Sequence, residues 1–268
     1  MYKLFIVAIL VIVANTTRCQ DVKVPTEVKS FILKGFEALD YVAGDLNGDK
    51  KPDAILILKI PGEDTIMEES PTRPFLLLIR QADGKLQKLV RNDSIIMCRQ
   101  CGGVFGDPYN GIKLTPSGFN LSFYGGSSWR WSYNYQFVYR ATGKSWFLLK
   151  EKQSNYHAGD PEKTMKNIVI TESEAGPVTI DKFNASPSNN SSEWKVKVAK
   201  TFFYDSPVLG SKPRKGYLVK GNEVICIREL KNFIEVTYSD GGYNTTGGYI
   251  LRKELQLKSP SAKTSGEK

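Results

Sequence analysis

The sequence predicts a mostly β protein of the α+β kind, with an N-terminal antiparallel sheet unit, one short helix and a small C-terminal barrel. Three observations carry that expectation. The apolar segments are of strand length and rich in β-branched and aromatic residues. Pairs of them flank turn-forming residues at hairpin spacing. Between them, Asn184 to Ser192 (NASPSNNSS) has no apolar periodicity and reads as a linker dividing the chain in two.

In chain order, Met1-Tyr2-Lys3, the apolar run Leu4 to Ala14 and the polar stretch to Gln20 have the three-part layout of a secretory signal. The apolar run is too short for a spanning helix, which needs about 20 residues, and no later segment approaches that length. Residues 1–19 are therefore expected to be removed, with lipidation at Cys19 the alternative to cleavage before Gln20. Pro25 to Leu33 is the expected helix, with Val28, Phe31 and Ile32 on one face and Gly35 ending it. Ala54 to Ile60 is a strand. Phe75 to Ile79 with Leu86 to Val90, Gly111 to Leu114 with Phe119 to Tyr124, and Tyr135 to Tyr139 with Trp146 to Leu149 form three hairpins around ADG, TPSG and ATGK turns. Asn167 to Thr171 and Val178 to Phe183 complete this unit, residues 20–183.

The second unit, residues 193–258, offers strands at Val196 to Phe203, Glu223 to Glu229, Phe233 to Tyr238 and Gly248 to Leu251. A long loop from Asp205 to Lys215 and a glycine-rich turn from Ser239 to Gly247 separate them, the layout of a five-stranded barrel. Residues 259–268 (SPSAKTSGEK) read as a disordered tail.

The net charge of +9 falls to +7 once Lys3 and Arg18 leave with the signal. The basic residues are scattered, so there is no basic face of the kind that reads nucleic acid. Export and the absence of a membrane-length segment place the expected mature protein in the periplasm or outside the cell, free or attached to the surface.

Asp45-Leu46-Asn47-Gly48-Asp49-Lys50-Lys51-Pro52-Asp53 is the most specific chemical signal. Side-chain oxygens at Asp45, Asn47, Asp49 and Asp53, with the carbonyl of Lys51, alternate as a loop wrapping Ca²⁺ requires. The stretch resembles the aspartate-rich loop of FG-GAP-type repeats (the VCBS and integrin-α-like class), which implies a Ca²⁺ site before a strand. Two departures stand out. Lys50 takes the position where the chain turns sharply and glycine is usual, and no bidentate glutamate follows, Leu56 standing there instead. The alternative is an Asx-rich turn held by its own hydrogen bonds. One copy excludes a propeller.

Cys98-Arg99-Gln100-Cys101 runs into a glycine-rich loop rather than a helix, against a thioredoxin-like site. Export favours a local disulfide between Cys98 and Cys101, with Cys226 a buried free thiol. CGGVFGDPYNGIKL, GFNLSFYGGSSWRW, YNYQFVY and SWFLL together resemble an uncharacterised family of exported bacterial proteins carrying the CGG-GDP and YGGS-WRW pattern, which brings no activity with it. Tyr124, Trp129, Arg130 and Trp131 are candidate binding residues. The alternative packs Trp129 and Trp131 into the core from one strand face, with Arg130 opposite.

In the second unit, AKTFFYDSP, YLVKGNEV, FIEVTY and GGYI resemble a bacterial SH3-type (SH3b) domain across Lys195 to Leu257, with Tyr249 in place of the more usual tryptophan. The resemblance implies an SH3-like barrel that contacts peptidoglycan or a protein partner, with Tyr204, Tyr217, Tyr243 and Tyr249 as candidate contacts. No nucleophile, zinc or nucleotide motif occurs, and the single histidine, His157, has no such motif beside it. The expectation is an exported, non-catalytic envelope binding protein. The alternatives are an inhibitor or immunity-type protein blocking a secreted hydrolase, and a weak hydrolase built on carboxylates such as Asp107 and Asp160.

Overall fold

Period-2 patterning splits two apolar runs between two layers. In a computed structural model that describes residues 22–66, 71–185, 192–242 and 244–258, β2 (Asp53–Lys59) and β3 (Phe75–Arg80) are buried on both faces. Ala54, Leu56, Leu58, Leu76 and Leu78 meet Val28 on one side. Ile55, Ile57, Phe75, Leu77 and Ile79 meet a second sheet on the other. Burial on both faces is why these runs read as continuously apolar rather than alternating. With β1 (Glu37–Gly44) and β4 (Leu86–Asn92) these strands form an antiparallel sheet in chain order. The expected signal, most of the expected linker, Tyr243 and the expected tail lie outside the described residues.

The second sheet is also antiparallel and in chain order: β5 (Tyr109–Thr115), β6 (Gly118–Gly126), β7 (Trp129–Arg140), β8 (Ser145–His157) and β9 (Lys166–Thr171). All three expected hairpins are present, and β7 and β8 run well past their expected ends. The inward face of β7 is a ladder of aromatics. Tyr133 stacks on Tyr135 with centroids 6.0 Å apart, Tyr135 and Phe137 both meet Phe183, and Tyr139 meets Trp146.

The C-terminal sheet has seven strands where five were expected, in the order β12-β11-β15-β14-β13-β10-β16, and it curls into a half-barrel. The expected strand Val196 to Phe203 is broken into β10 (Glu193–Val196) and β11 (Lys200–Tyr204), and the far end of the Asp205 to Lys215 loop belongs to β12 (Pro213–Val219). β13 (Glu223–Glu229), β14 (Phe233–Ser239) and β15 (Thr245–Leu251) follow, then a 3₁₀ turn and β16 (Leu255–Leu257).

Three further expectations need correction. The helix shrinks to α1 (Thr26–Lys29), because Pro25 at its start offers no side-chain acceptor and so short a helix cannot propagate. Phe31, Ile32 and Leu33 still pack on β2 and β3 from the turns that follow. Val178 to Phe183 is no strand: it meets β8 through one bridge, Phe147 with Thr179. Ala185, read as linker, is buried and donates its N–H to the carbonyl of Ser94 at 3.0 Å. No helix among the described residues is long and apolar enough to cross a membrane.

The C-terminal sheet packs on β8 and β9 through Ile170, Leu230, Phe233 and Tyr249. At this junction Arg228 of β13 donates to Glu151 of β8 at 2.5 Å, and lies 3.1 Å from Glu235 of β14.

Candidate functional site

The aspartate loop forms as its spacing suggests. Asp45 Oδ1 accepts the N–H groups of Asn47 and Gly48, and Oδ2 accepts that of Lys50 at 2.8 Å. Asn47 and Asp49 each accept an N–H two residues on, a chain of Asx turns. Partial burial raises the Asp45 carboxyl, but the backbone donors outweigh it and hold it below the usual range. Asp53 accepts from Leu46 and Arg80, yet burial, with Asp49 and Asp45 nearby, pushes its carboxyl up.

Oxygens of Asp45, Asp49 and Asp53 all lie within 4.8 Å of one another, a cluster that could hold a metal ion. These are the three carboxylates among the five expected ligands. The Asn47 oxygen is spent on the Asp49 N–H, and the Lys51 ammonium stands 4.0 Å from Asp49. Lys50 adopts φ +65°, the left-handed conformation that the loop demands and that glycine would accept without strain.

Cys98 and Cys101 stand at disulfide distance, 2.04 Å. Between them the chain makes a 3₁₀ turn (Arg99–Gly102), so this segment is more regular than a loop. Cys226 is a buried free thiol whose pKa burial raises.

Strand alternation distributes the expected binding residues over two faces of β7. On the outer face, Arg130 lies 4.2 Å over the Phe105 ring, Phe105 meets Tyr124, and the Tyr124 and Tyr156 hydroxyls are 3.3 Å apart. On the other face, Trp129 is half exposed, edge-on to His157 at 5.3 Å, and Trp131 packs against Tyr133 at 5.3 Å. Trp131 seals the end of the core rather than lying within it.

This second face opens on a groove of about 390 Å³ between the sheets. Trp129, Trp131 and Tyr133 form one wall with Gln153, Asn155 and Lys166. Asp205, Arg214, Glu235 and Tyr249 of the C-terminal sheet form the other. Asp205 takes Arg214 at 2.8 Å and Lys166 at 3.7 Å. Burial raises the pKa of Glu235, with Arg228 opposing and Glu151 reinforcing the rise.

The remaining expected contacts fare unevenly. Tyr204 packs on Phe233 at the junction, and Tyr249 is buried, its hydroxyl pKa raised by desolvation. Tyr217 is exposed away from the groove, with the Lys200 ammonium 3.8 Å over its ring. Tyr133, Gln153, Asn155, Lys166 and Glu235 escaped the sequence reading. Only Tyr133 carried a usable signal, as the next aromatic at period two after Trp131.

No family model, curated protein or solved structure matches this chain.

Proposed function

We propose that the chain is an exported, non-catalytic envelope protein that binds peptidoglycan in the groove between its sheets, the C-terminal half-barrel acting as an SH3b-type wall of that groove. The observation that carries this reading is the row Trp129, Trp131 and Tyr133 on one strand face, bordering a groove edged by amides and charges. Flat aromatic faces stack on sugar rings while amides take their hydroxyls, the usual division of labour in a ligand cleft. Trp129, half exposed, is the member of the row free to be buried on binding, where such residues supply much of the affinity.

The two acids that the sequence offered for hydrolysis, Asp107 and Asp160, have structural partners. Asp107 pairs bidentately with the fully buried Arg73, and Asp160 accepts the Lys163 N–H at the start of α2 (Pro161–Thr164). His157 accepts the Gly159 N–H on Nδ1 and faces Trp129. In the same proposal a Ca²⁺ ion sits among Asp45, Asp49 and Asp53 and stiffens the loop, its hard oxygen ligands suiting that cation.

Sedimentation with purified sacculi, with and without a calcium chelator, tests the reading. Wild type is expected to co-sediment and the W129A/W131A double variant to stay in solution. Wild-type protein that stays in solution sinks the proposal.

A further inference from the structure

We infer that the groove takes a ligand carrying an ammonium group, with Glu235 as its counter-charge. This rests on the binding reading above and specifies the ligand chemistry. Two carboxylates at the junction share one guanidinium. Glu151 is fully served: Arg228 donates to one of its oxygens at 2.5 Å and the Gln153 amide to the other at 2.5 Å. Glu235 receives less. Arg228 Nη2 comes within 3.1 Å of it but is not aligned for a hydrogen bond. One positive charge set against two carboxylates leaves one negative charge over, and Glu235 is the member that borders the groove.

The other charges bordering the groove lean the opposite way and gather around Asp205, two cations to one carboxylate, so the negative excess is local to Glu235. Lys166 and Arg214 both pair with Asp205, and Arg214 also donates to the Gly247 carbonyl at 2.7 Å. The rings of Trp131 and Tyr133 line the same groove as Glu235, and aromatic rings attract cations. A carboxylate that shares its ion-pair partner with Glu151, in a groove lined by aromatic rings, selects an ammonium over a neutral amide of similar shape. Glycans linked by peptides that bear a free side-chain amine offer such a group.

The test titrates the full-length protein, by calorimetry at neutral pH, with a muropeptide whose stem-peptide amine is free and with the same muropeptide acetylated at that amine. The free amine is expected to bind about tenfold more tightly, the effect of one desolvated cation–π and charge contact. Glu235→Gln should abolish the preference, while Glu235→Asp retains part of it. Equal wild-type affinity for the two ligands overturns the ammonium inference and leaves the binding reading standing. A preference that survives Glu235→Gln also overturns it. Binding of neither ligand overturns both.

Discussion

Trp146 Nε1 donates a hydrogen bond to the carbonyl of Leu46 at 2.7 Å, joining the second sheet to the aspartate loop a hundred residues earlier in the chain. Leu46 is the hub of that loop. Its side chain is in the core, and its N–H is donated to Asp53 at 3.1 Å. The loop is thus fixed to the core through both polar groups of one peptide residue, in addition to its own Asx turns.

Trp146→Phe leaves that carbonyl buried without its donor and opens space where the indole stood. The unmet acceptor alone costs about 1–3 kcal/mol and the lost volume adds to it. A total loss of about 2–4 kcal/mol is expected in urea denaturation. Stabilisation by added Ca²⁺, read as a rise in melting temperature, should shrink in the same variant because its ligands lose their anchor. A variant as stable as wild type would show that the hydrogen bond is incidental.

The junction between the sheets depends on Arg228. Replacing it with Met leaves Glu151, almost completely buried, without its cation, a change that costs about 3–5 kcal/mol in comparable pairs. Removing the charge from Glu151 as well relieves most of that cost, because only the less buried Glu235 is then left without the cation. Denaturation of R228M, E151Q and R228M/E151Q should therefore show a double variant more stable than R228M alone. Additive losses would mean that the two side chains do not act as a pair.

The fold was legible where one physical rule dominates. Hairpins announced themselves because ADG, TPSG and ATGK stand between strands whose alternation is unambiguous, and the aspartate loop because ligand spacing is a local property. β1 was missed because Glu37 to Gly44 is mostly half-buried and mixes Asp40 and Glu37 with its apolar residues, so no alternation marks it. β12 was missed for a similar reason: Pro213, Arg214 and Lys215 suggest a loop, and only pairing with β11 makes them strand. The groove could not be read at all. Glu235 and Lys166 are ordinary surface residues in sequence, and their role depends on two sheets meeting far along the chain. Arg73, in the unremarkable run PTRPF, is likewise recognised only once Glu63 and Asp107 close on it.

Lys50 offers a test in which removing a side chain stabilises. At φ +65° an L-residue carries strain of about 1–2 kcal/mol that glycine does not, partly offset by glycine's greater freedom when unfolded. Lys50→Gly should raise stability by about 0.5–1 kcal/mol in thermal melts. It should also strengthen Ca²⁺ binding by removing a cation from the loop. Gly48→Ala is the opposite control, since φ is +83° there and the new Cβ would stand 2.9 Å from Ser117 Oγ. Weaker metal binding in Lys50→Gly would mean that the lysine supports the loop.

Glu235 gives the junction a pH dependence whose sign follows from burial. Its carboxyl is raised above the ordinary 4.5, so the folded protein holds a proton that the unfolded chain releases. Its contribution to stability is fully present below pH 4.5 and is lost as pH rises through the elevated folded value. Glu235→Gln, which resembles the protonated acid, should remove that decline and be at least as stable as wild type at neutral pH. Stability measured by urea denaturation between pH 4 and pH 8, at about half-unit steps, checks it. A variant that keeps the wild-type slope assigns the effect to another group.

Gly125 links the glycine-rich loop after Cys101 to the groove. It lies beneath the Trp131 ring, and a Cβ there would stand 2.5 Å from Trp131 Cζ2 and 2.8 Å from Gly102 Cα. Both contacts are too short to keep, so the ring and the Gly102 backbone must each give way. Gly125→Ala is therefore expected to tilt Trp131 out of its place against Tyr133, at an overpacking cost of about 1–3 kcal/mol. The exposed indole should shift tryptophan emission to longer wavelength, and retention on sacculi should fall even in the folded variant. Gly111→Ala is the control: its φ of +91° brings backbone strain that Gly125 does not have, but its Cβ meets nothing within 4 Å, so the emission and retention of wild type should persist. Unchanged emission and retention in Gly125→Ala would separate the glycine motif from the groove and leave it a purely local feature of the turn.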